Sequence, residues 1–158
     1  MSEVETIRRQ FLPQRITALF VGESAPQSGK FFYLRNGQVY RYMRQAFTGG
    51  PDFLEWFKAN GYFLDDLILD PVNKKAYTER RRLRCESVLD LARRLSDYRP
   101  AVVVALMIGI EPMVRDAIAK AGLSDRPFHV IPFPGCGQQG RFSSKMAEII
   151  PKLPKLQS

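Results

Sequence analysis

The sequence predicts an α/β fold, a three-layer α/β/α sandwich around a four-stranded, mostly parallel sheet. Three observations predict it. Short apolar, β-rich runs recur four times, segments of helical periodicity separate them, and hairpin signals between them are almost absent. Strands that are not joined by hairpins pair in parallel through helical crossovers, and right-handed crossovers place helices on both faces of the sheet.

The first run, residues 16–22, reads Ile-Thr-Ala-Leu-Phe-Val-Gly and suits a strand buried on both faces. After a loop containing Pro, Gly and Ser, residues 39–47 and 52–60 read as helices. Tyr42, Met43 and Phe47, then Phe53, Trp56 and Phe57, stand near helical spacing, and Gly49-Gly50-Pro51 separates the two. Residues 61–69 form a second strand candidate, closed by the turn Asp70-Pro71-Val72-Asn73.

Residues 78–97 read as one long amphipathic helix. Leu83, Val88, Leu91, Ala92 and Leu95 form its apolar stripe, and Arg80, Arg81, Arg84, Arg93 and Arg94 are expected on its surface. Residues 100–106 give the clearest buried strand, followed by a helix over 111–120 that stops at Gly122. A fourth strand over 128–132, a glycine-containing loop over 133–140 and a closing helix over 141–151 complete the series. In such sheets ligands bind beyond the carboxyl ends of the strands, so the loops 22–33, 65–73 and 133–141 are expected to line one site.

The length of 158 residues suits one domain, residues 1–158, and no run of 18 apolar residues marks a membrane span. The first nine residues mix both charges and lack the apolar core of a secretory signal, which leads to an expected cytoplasmic location. Cys85 and Cys136 are far apart, too few for a disulfide framework or a four-thiolate metal centre, and are expected as free thiols with no metal and no cofactor. The net charge of +8 favours an anionic partner, DNA above all, because basic surfaces attract phosphate backbones irrespective of sequence. A monomer is expected.

The loop Gly22-Glu23-Ser24-Ala25-Pro26, continuing through Ser28 and Lys30 to Phe31-Phe32-Tyr33, delivers backbone, a carboxylate and three aromatic rings from the end of a buried strand. Here the chain resembles the uracil-DNA glycosylase superfamily, whose first motif is a strand ending in a Gly-x-x-Pro-like loop followed by an aromatic residue that stacks on the extruded base. Asp65-Asp66 with the turn Pro71-Val72-Asn73-Lys74 resembles that family's middle strand and following turn. The strand over 101–106 and its helix resemble the third, and Ile131-Pro132-Phe133-Pro134 its last loop. The likeness is one of motif order and covers about residues 15–150.

The resemblance implies a DNA-repair glycosylase acting on a deaminated base, most simply uracil. Such an enzyme must draw a base out of the stack, stack it, hold its edge and grip the flanking phosphates. Carried over, Glu23 and Ser24 fall at the water side of the site, with Phe32 the preferred stacking ring beside Phe31 and Tyr33. Asp65 or Asp66 falls at the base edge, and Gly22, Pro26, Asn73, Pro134 and Gly135 complete the pocket. Ser28, Lys30, Lys74 and Arg141 are the implied phosphate contacts.

Two catalytic positions depart from the family's pattern. Ser24 stands where an Asp or Asn is usual, and a serine hydroxyl without a neighbouring base cannot take a proton from water at neutral pH. Ile131 stands where a histidine is usual; the one histidine, His129, lies about 6.6 Å back along the strand and reads as a core residue. The family's iron–sulfur branch carries a Gly-Glu-x-Pro motif, which makes Glu23 the candidate for positioning water, but that branch also has four cysteines. Backbone N–H groups over 135–140 are then left to face the departing base, and slow turnover is expected. Two other readings follow from the same residues: a non-catalytic nucleic-acid or nucleotide binder, and a small-molecule α/β enzyme, which one histidine serves poorly.

Overall fold

The computed structural model describes residues 2–26, 28–72 and 75–156. Its strands are β1 (Ala18–Gly22), β2 (Tyr62–Asp66), β3 (Val102–Ala105) and β4 (Phe128–Val130), and its helices α1 (Glu3–Gln10), α2 (Gly37–Ala46), α3 (Phe53–Ala59), α4 (Tyr77–Glu86), α5 (Val88–Tyr98), α6 (Glu111–Lys120) and α7 (Gln139–Ile149). The strands form one sheet in the order β2-β1-β3-β4, and every pair is parallel. This is the three-layer α/β/α arrangement that the sequence predicts. Helix α5 packs on α6, and α2 packs on α7.

The two inner strands explain their own composition. Ala18, Leu19, Phe20 and Val21 of β1, and Val103, Val104 and Ala105 of β3, are wholly buried because helices cover both faces. Phe20 is ringed by Phe47, Phe57 and Tyr62, so the helices over the first crossover are fastened by aromatic contacts with centroids 5.6–6.3 Å apart. Strand β1 leads away to β2 on one side, and β3 leads to β4 on the other. The crevice beyond their carboxyl ends is the switch point where such folds place ligands.

Three expectations need correction, and one element was not foreseen. The helix expected over 78–97 is two helices that meet at Ser87: α5 points Val88, Leu91, Ala92 and Leu95 into the core, while α4 buries Arg84 instead. The break lets the two helices serve different faces. The arginines expected on the surface are therefore not all there; Arg80, Arg84 and Arg94 turn inward to carboxylates. His129 lies half-buried on an edge strand rather than in the core, and burial, then Lys152 and Lys145, lower its pKa. Finally, α1 was not anticipated, although Ser2 with Glu5 three residues on is a helix-start spacing, and the Ser2 hydroxyl accepts the Glu5 N–H at 3.2 Å.

Candidate functional site

A cavity of about 640 Å³ opens at the carboxyl ends of the strands. The loop after β1 supplies most of its wall through Gly22, Glu23, Ser24, Ala25, Pro26, Ser28 and Lys30. Leu64 and Asp66 come from β2, Leu106 and Met107 from the end of β3, and Phe133 from the loop after β4. The start of α2 adds Asn36, Gly37, Gln38, Val39 and Arg41, and α4 adds Arg80. The three loops expected to converge each reach this cavity, and its volume is that of a small-molecule site.

One side is built on buried charge. The Arg8 guanidinium reaches from α1 to the end of β2, donating from Nη1 to Asp65 Oδ1 at 2.6 Å and from Nη2 to Asp66 Oδ2 at 2.9 Å. Arg94 of α5 donates to Asp65 Oδ2 at 2.6 Å and to the Asp66 carbonyl at 2.9 Å. Both oxygens of Asp65 are thus held, and two guanidinium groups face two carboxylates. Burial would lower the Arg8 pKa, but Asp66 and Asp65 outweigh it and raise the value, so Arg8 is firmly charged. Asp66 responds oppositely: burial raises it to about 6 against the pull of Arg8, with help from Asp65.

Asp66 also explains Gly22. The two residues are abreast in the parallel register, and a Cβ at position 22 would lie 2.7 Å from Asp66 Oδ1. Only glycine leaves that oxygen in place. Among the described residues Oδ1 has no hydrogen-bond partner.

Glu23 is held as tightly. Oε1 accepts from Arg80 at 2.5 Å, Oε2 accepts from Arg84 Nε at 2.5 Å, and Arg84 Nη2 is a further ion-pair partner. Glu23 and Arg84 are 9% and 8% exposed, so this clamp is largely shielded from water. Arg80 stands at the cavity wall. Ser24 Oγ accepts the Val72 N–H at 3.3 Å, tying the first loop to the one after β2.

The three consecutive aromatics have three different fates. Phe32, the ring preferred for stacking from the sequence, touches the cavity but is packed against Tyr33, Tyr40, Phe53 and Phe57. It belongs to the aromatic core. Tyr33 does not line the cavity; its hydroxyl donates to the Leu64 carbonyl at 2.9 Å and accepts the Leu64 N–H at 2.7 Å, at the outer edge of β2. Phe31 lines the cavity, 5% exposed, with the Tyr33 ring 5.5 Å and the Arg8 guanidinium 5.4 Å from its centroid, while the Phe133 ring on the opposite loop is 36% exposed. The Phe31 N–H donates to Asn36 Oδ1 at 2.6 Å, which fixes the loop.

Other expected site residues divide likewise. Ser28 and Lys30 are exposed on the cavity wall. Pro134 and Gly135 are buried behind it, where Gly135 leaves room for Gln38 and the Phe133 ring. Arg141 is exposed on α7 and does not line the cavity. Asn73 and Lys74 lie outside the described residues. The N–H groups of Gly135 and Gln138 in the last loop are bonded to the Phe133 and Gly135 carbonyls.

Sequence reasoning missed Arg8, Arg80 and Arg84 as partners of site carboxylates, and Asn36 and Gln38 as wall residues. A signal for the first group was present: buried-strand ends carrying Glu23, Asp65 and Asp66 need counter-charges, which arginines on amphipathic helices can supply. Among the described residues no cluster of three or more His, Cys, Asp or Glu side chains is arranged to hold a metal ion, and no helix is long and apolar enough to cross a membrane. Cys85 and Cys136 are exposed free thiols.

A scan against models of protein families finds no match to the chain, and a search of curated proteins finds no significant one.

Proposed function

We propose that the cavity receives a nucleobase extruded from DNA, and that the protein is a glycosylase hydrolysing the N-glycosidic bond of a deaminated base, uracil in the simplest case. The observation that carries this reading is the pairing, in one cavity at the strand ends, of the Phe31 ring with the Asp66 carboxylate, beside the basic side chains Lys30, Arg41 and Arg80. A stacking ring, a polar edge reader and a cationic rim are what an extruded base and its phosphates require.

In the reaction, water adds to C1′ of the sugar and the C1′–N bond breaks, its electron pair leaving on the base, which then takes the proton that water gives up. Glu23 orients the water through lone pairs not used by Arg80 and Arg84, and Ser24 offers a hydroxyl beside it. Arg80 supplies positive charge at the wall where negative charge develops. With no neutral imidazole at position 131, this machinery is slow.

A second reading, a binder without catalysis, is favoured by the double clamp on Glu23, because both of its oxygens are already engaged by guanidinium groups. Base release from labelled oligonucleotides carrying uracil, hypoxanthine or xanthine, single and double stranded, separates the two. Release by the parent that is lost in Glu23→Gln and reduced in Ser24→Ala supports the glycosylase. Salt-sensitive DNA binding with no release rejects it and leaves the binder.

A further inference from the structure

We infer that Arg80 is an exchangeable cap on Glu23: a backbone phosphodiester of the strand entering the cavity takes the Arg80 guanidinium from Oε1, and the freed oxygen then holds the attacking water. This rests on the glycosylase reading above and adds the step that activates it. Arg80 is thus a positioning residue, acting through Glu23.

The two arginines on Glu23 are held very differently. The Arg84 side chain is 9% exposed, its Nε and Nη2 both meet Oε2, and Nη2 also reaches the Met107 sulfur at 3.6 Å. It is closely packed as well, since a Cβ at Gly109 would lie 3.2 Å from Arg84 Nη1. The Arg80 side chain is 27% exposed on the cavity wall, and among the described residues its guanidinium makes one hydrogen bond, from Nη2 to Oε1. Its Nε is buried with no partner among those residues. A guanidinium carries several N–H donors in a fixed fork, so most of those on Arg80 are uncommitted.

Charge points the same way. Arg8 and Arg94 balance Asp65 and Asp66, whereas Glu23 alone faces both Arg80 and Arg84. The second group therefore carries one surplus positive charge, and Lys30 and Arg41 on the same cavity add to the field. A phosphodiester brings a single negative charge, and its paired oxygens match the arginine fork in short, charge-assisted hydrogen bonds. Leaving the carboxylate costs less for the partly hydrated Arg80 than for the buried Arg84, which keeps Glu23 in place. The Arg80 charge stays at the cavity wall throughout, since donor and new acceptor both lie there.

The test uses the full chain and base release from single-stranded oligonucleotides carrying one deoxyuridine, its flanking linkages either native or replaced by uncharged methylphosphonates. In the parent the neutral linkages should lower kcat roughly 10- to 100-fold, the range for a hydrogen bond to a charged group. In Arg80→Met the cap is gone. The variant should turn over the neutral substrate faster than the parent does, with a kcat indifferent to the linkage and a raised KM for the native strand. An arginine that merely grips phosphate would put the linkage effect in KM, and the variant would never be faster; either result overturns the cap. Side-chain NMR of the 15N-labelled parent reads the exchange without catalysis. An oligonucleotide with one abasic sugar should move the Arg80 guanidinium signal and leave that of Arg84, while inorganic phosphate at the same concentration moves neither. Movement of both signals or of neither with the oligonucleotide, or an equal response of Arg80 to inorganic phosphate, overturns the exchange even if Arg80→Met folds poorly. If no substrate is cleaved although Arg80 moves, the glycosylase reading itself fails, and the activating step with it.

Discussion

Replacing Glu23 by Gln exchanges one oxygen for an amide group and leaves two guanidinium groups facing a neutral side chain. Arg84 is buried, while the Arg80 side chain is 27% exposed and retains water. Breaking a buried pair typically costs about 3–5 kcal/mol. Gln keeps one acceptor oxygen and the same length, and Arg80 stays partly hydrated, so the expected loss is about 2–3 kcal/mol. For a chain of this size each kcal/mol lowers Tm by about 2–4 °C, which gives a drop of roughly 4–12 °C. Thermal unfolding at pH 7 reads this directly, and the double variant Glu23→Gln/Arg84→Gln should recover part of it, because both charges are then gone. The same pair of measurements separates structure from chemistry. If Glu23 positions water, base release per folded molecule falls by ~100-fold or more in Glu23→Gln even at temperatures where the variant is fully folded. A Tm unchanged to within a degree would refute the clamp as a stabilising element, and no recovery in the double variant would refute the pairwise argument.

Other outcomes follow from neighbouring contacts. Arg8→Ala leaves Asp65 and Asp66 side by side with only Arg94 between them, and should cost about 3–5 kcal/mol in urea unfolding; a loss below 1 kcal/mol would mean water takes over the role of the guanidinium. Tyr33→Phe strips the Leu64 N–H and carbonyl of their partner and should cost about 1–3 kcal/mol, checked by chemical denaturation. Gly22→Ala drives a methyl group toward Asp66 Oδ1 and should cost about 1–3 kcal/mol and weaken binding of the base together with stability; a neutral effect would show that the carboxylate moves aside freely. For Asp66 the pH dependence runs opposite to that of an ordinary ion-paired aspartate. Its folded value of about 6 lies above the ordinary 3.8, so between those two pH values the folded chain binds more protons than the unfolded one. Its contribution to stability therefore falls as pH rises through that window, by about 3 kcal/mol in all. The parent's stability minus that of Asp66→Asn, followed by urea unfolding from pH 4 to 7, should decline by about 2 kcal/mol, most of that total; parallel curves would overturn the assignment.

The fold was legible because its strongest signals are local. Residues 18–21 and 103–105 are apolar on both alternating faces, which only a strand covered on both sides permits, and α6 begins and ends where its apolar spacing and Gly122 place it. Where the cavity would lie was legible for the same reason, since parallel strands fix the end at which loops meet. What lay beyond reach was pairing across long sequence distances. Arg8 meets Asp65 and Asp66, and Arg84 meets Glu23, 57 or more residues apart, and an arginine on an amphipathic helix looks the same whether it faces water or a buried carboxylate. The consecutive aromatics failed for a related reason: Phe31 precedes a short 3₁₀ turn that Phe32 and Tyr33 enter, the three point in different directions, and composition does not say which meet the cavity.

The Tyr33 hydroxyl has a second consequence, for the protein's behaviour in concentrated solution. Strand β2 is the outermost strand on its side of the sheet, and Leu64 lies at its middle. By occupying both the donor and the acceptor of that one residue, the phenol leaves an incoming strand no continuous row of groups to add to. Together with Arg94, which donates to the Asp66 carbonyl two residues on, it closes this edge against sheet-to-sheet polymerisation.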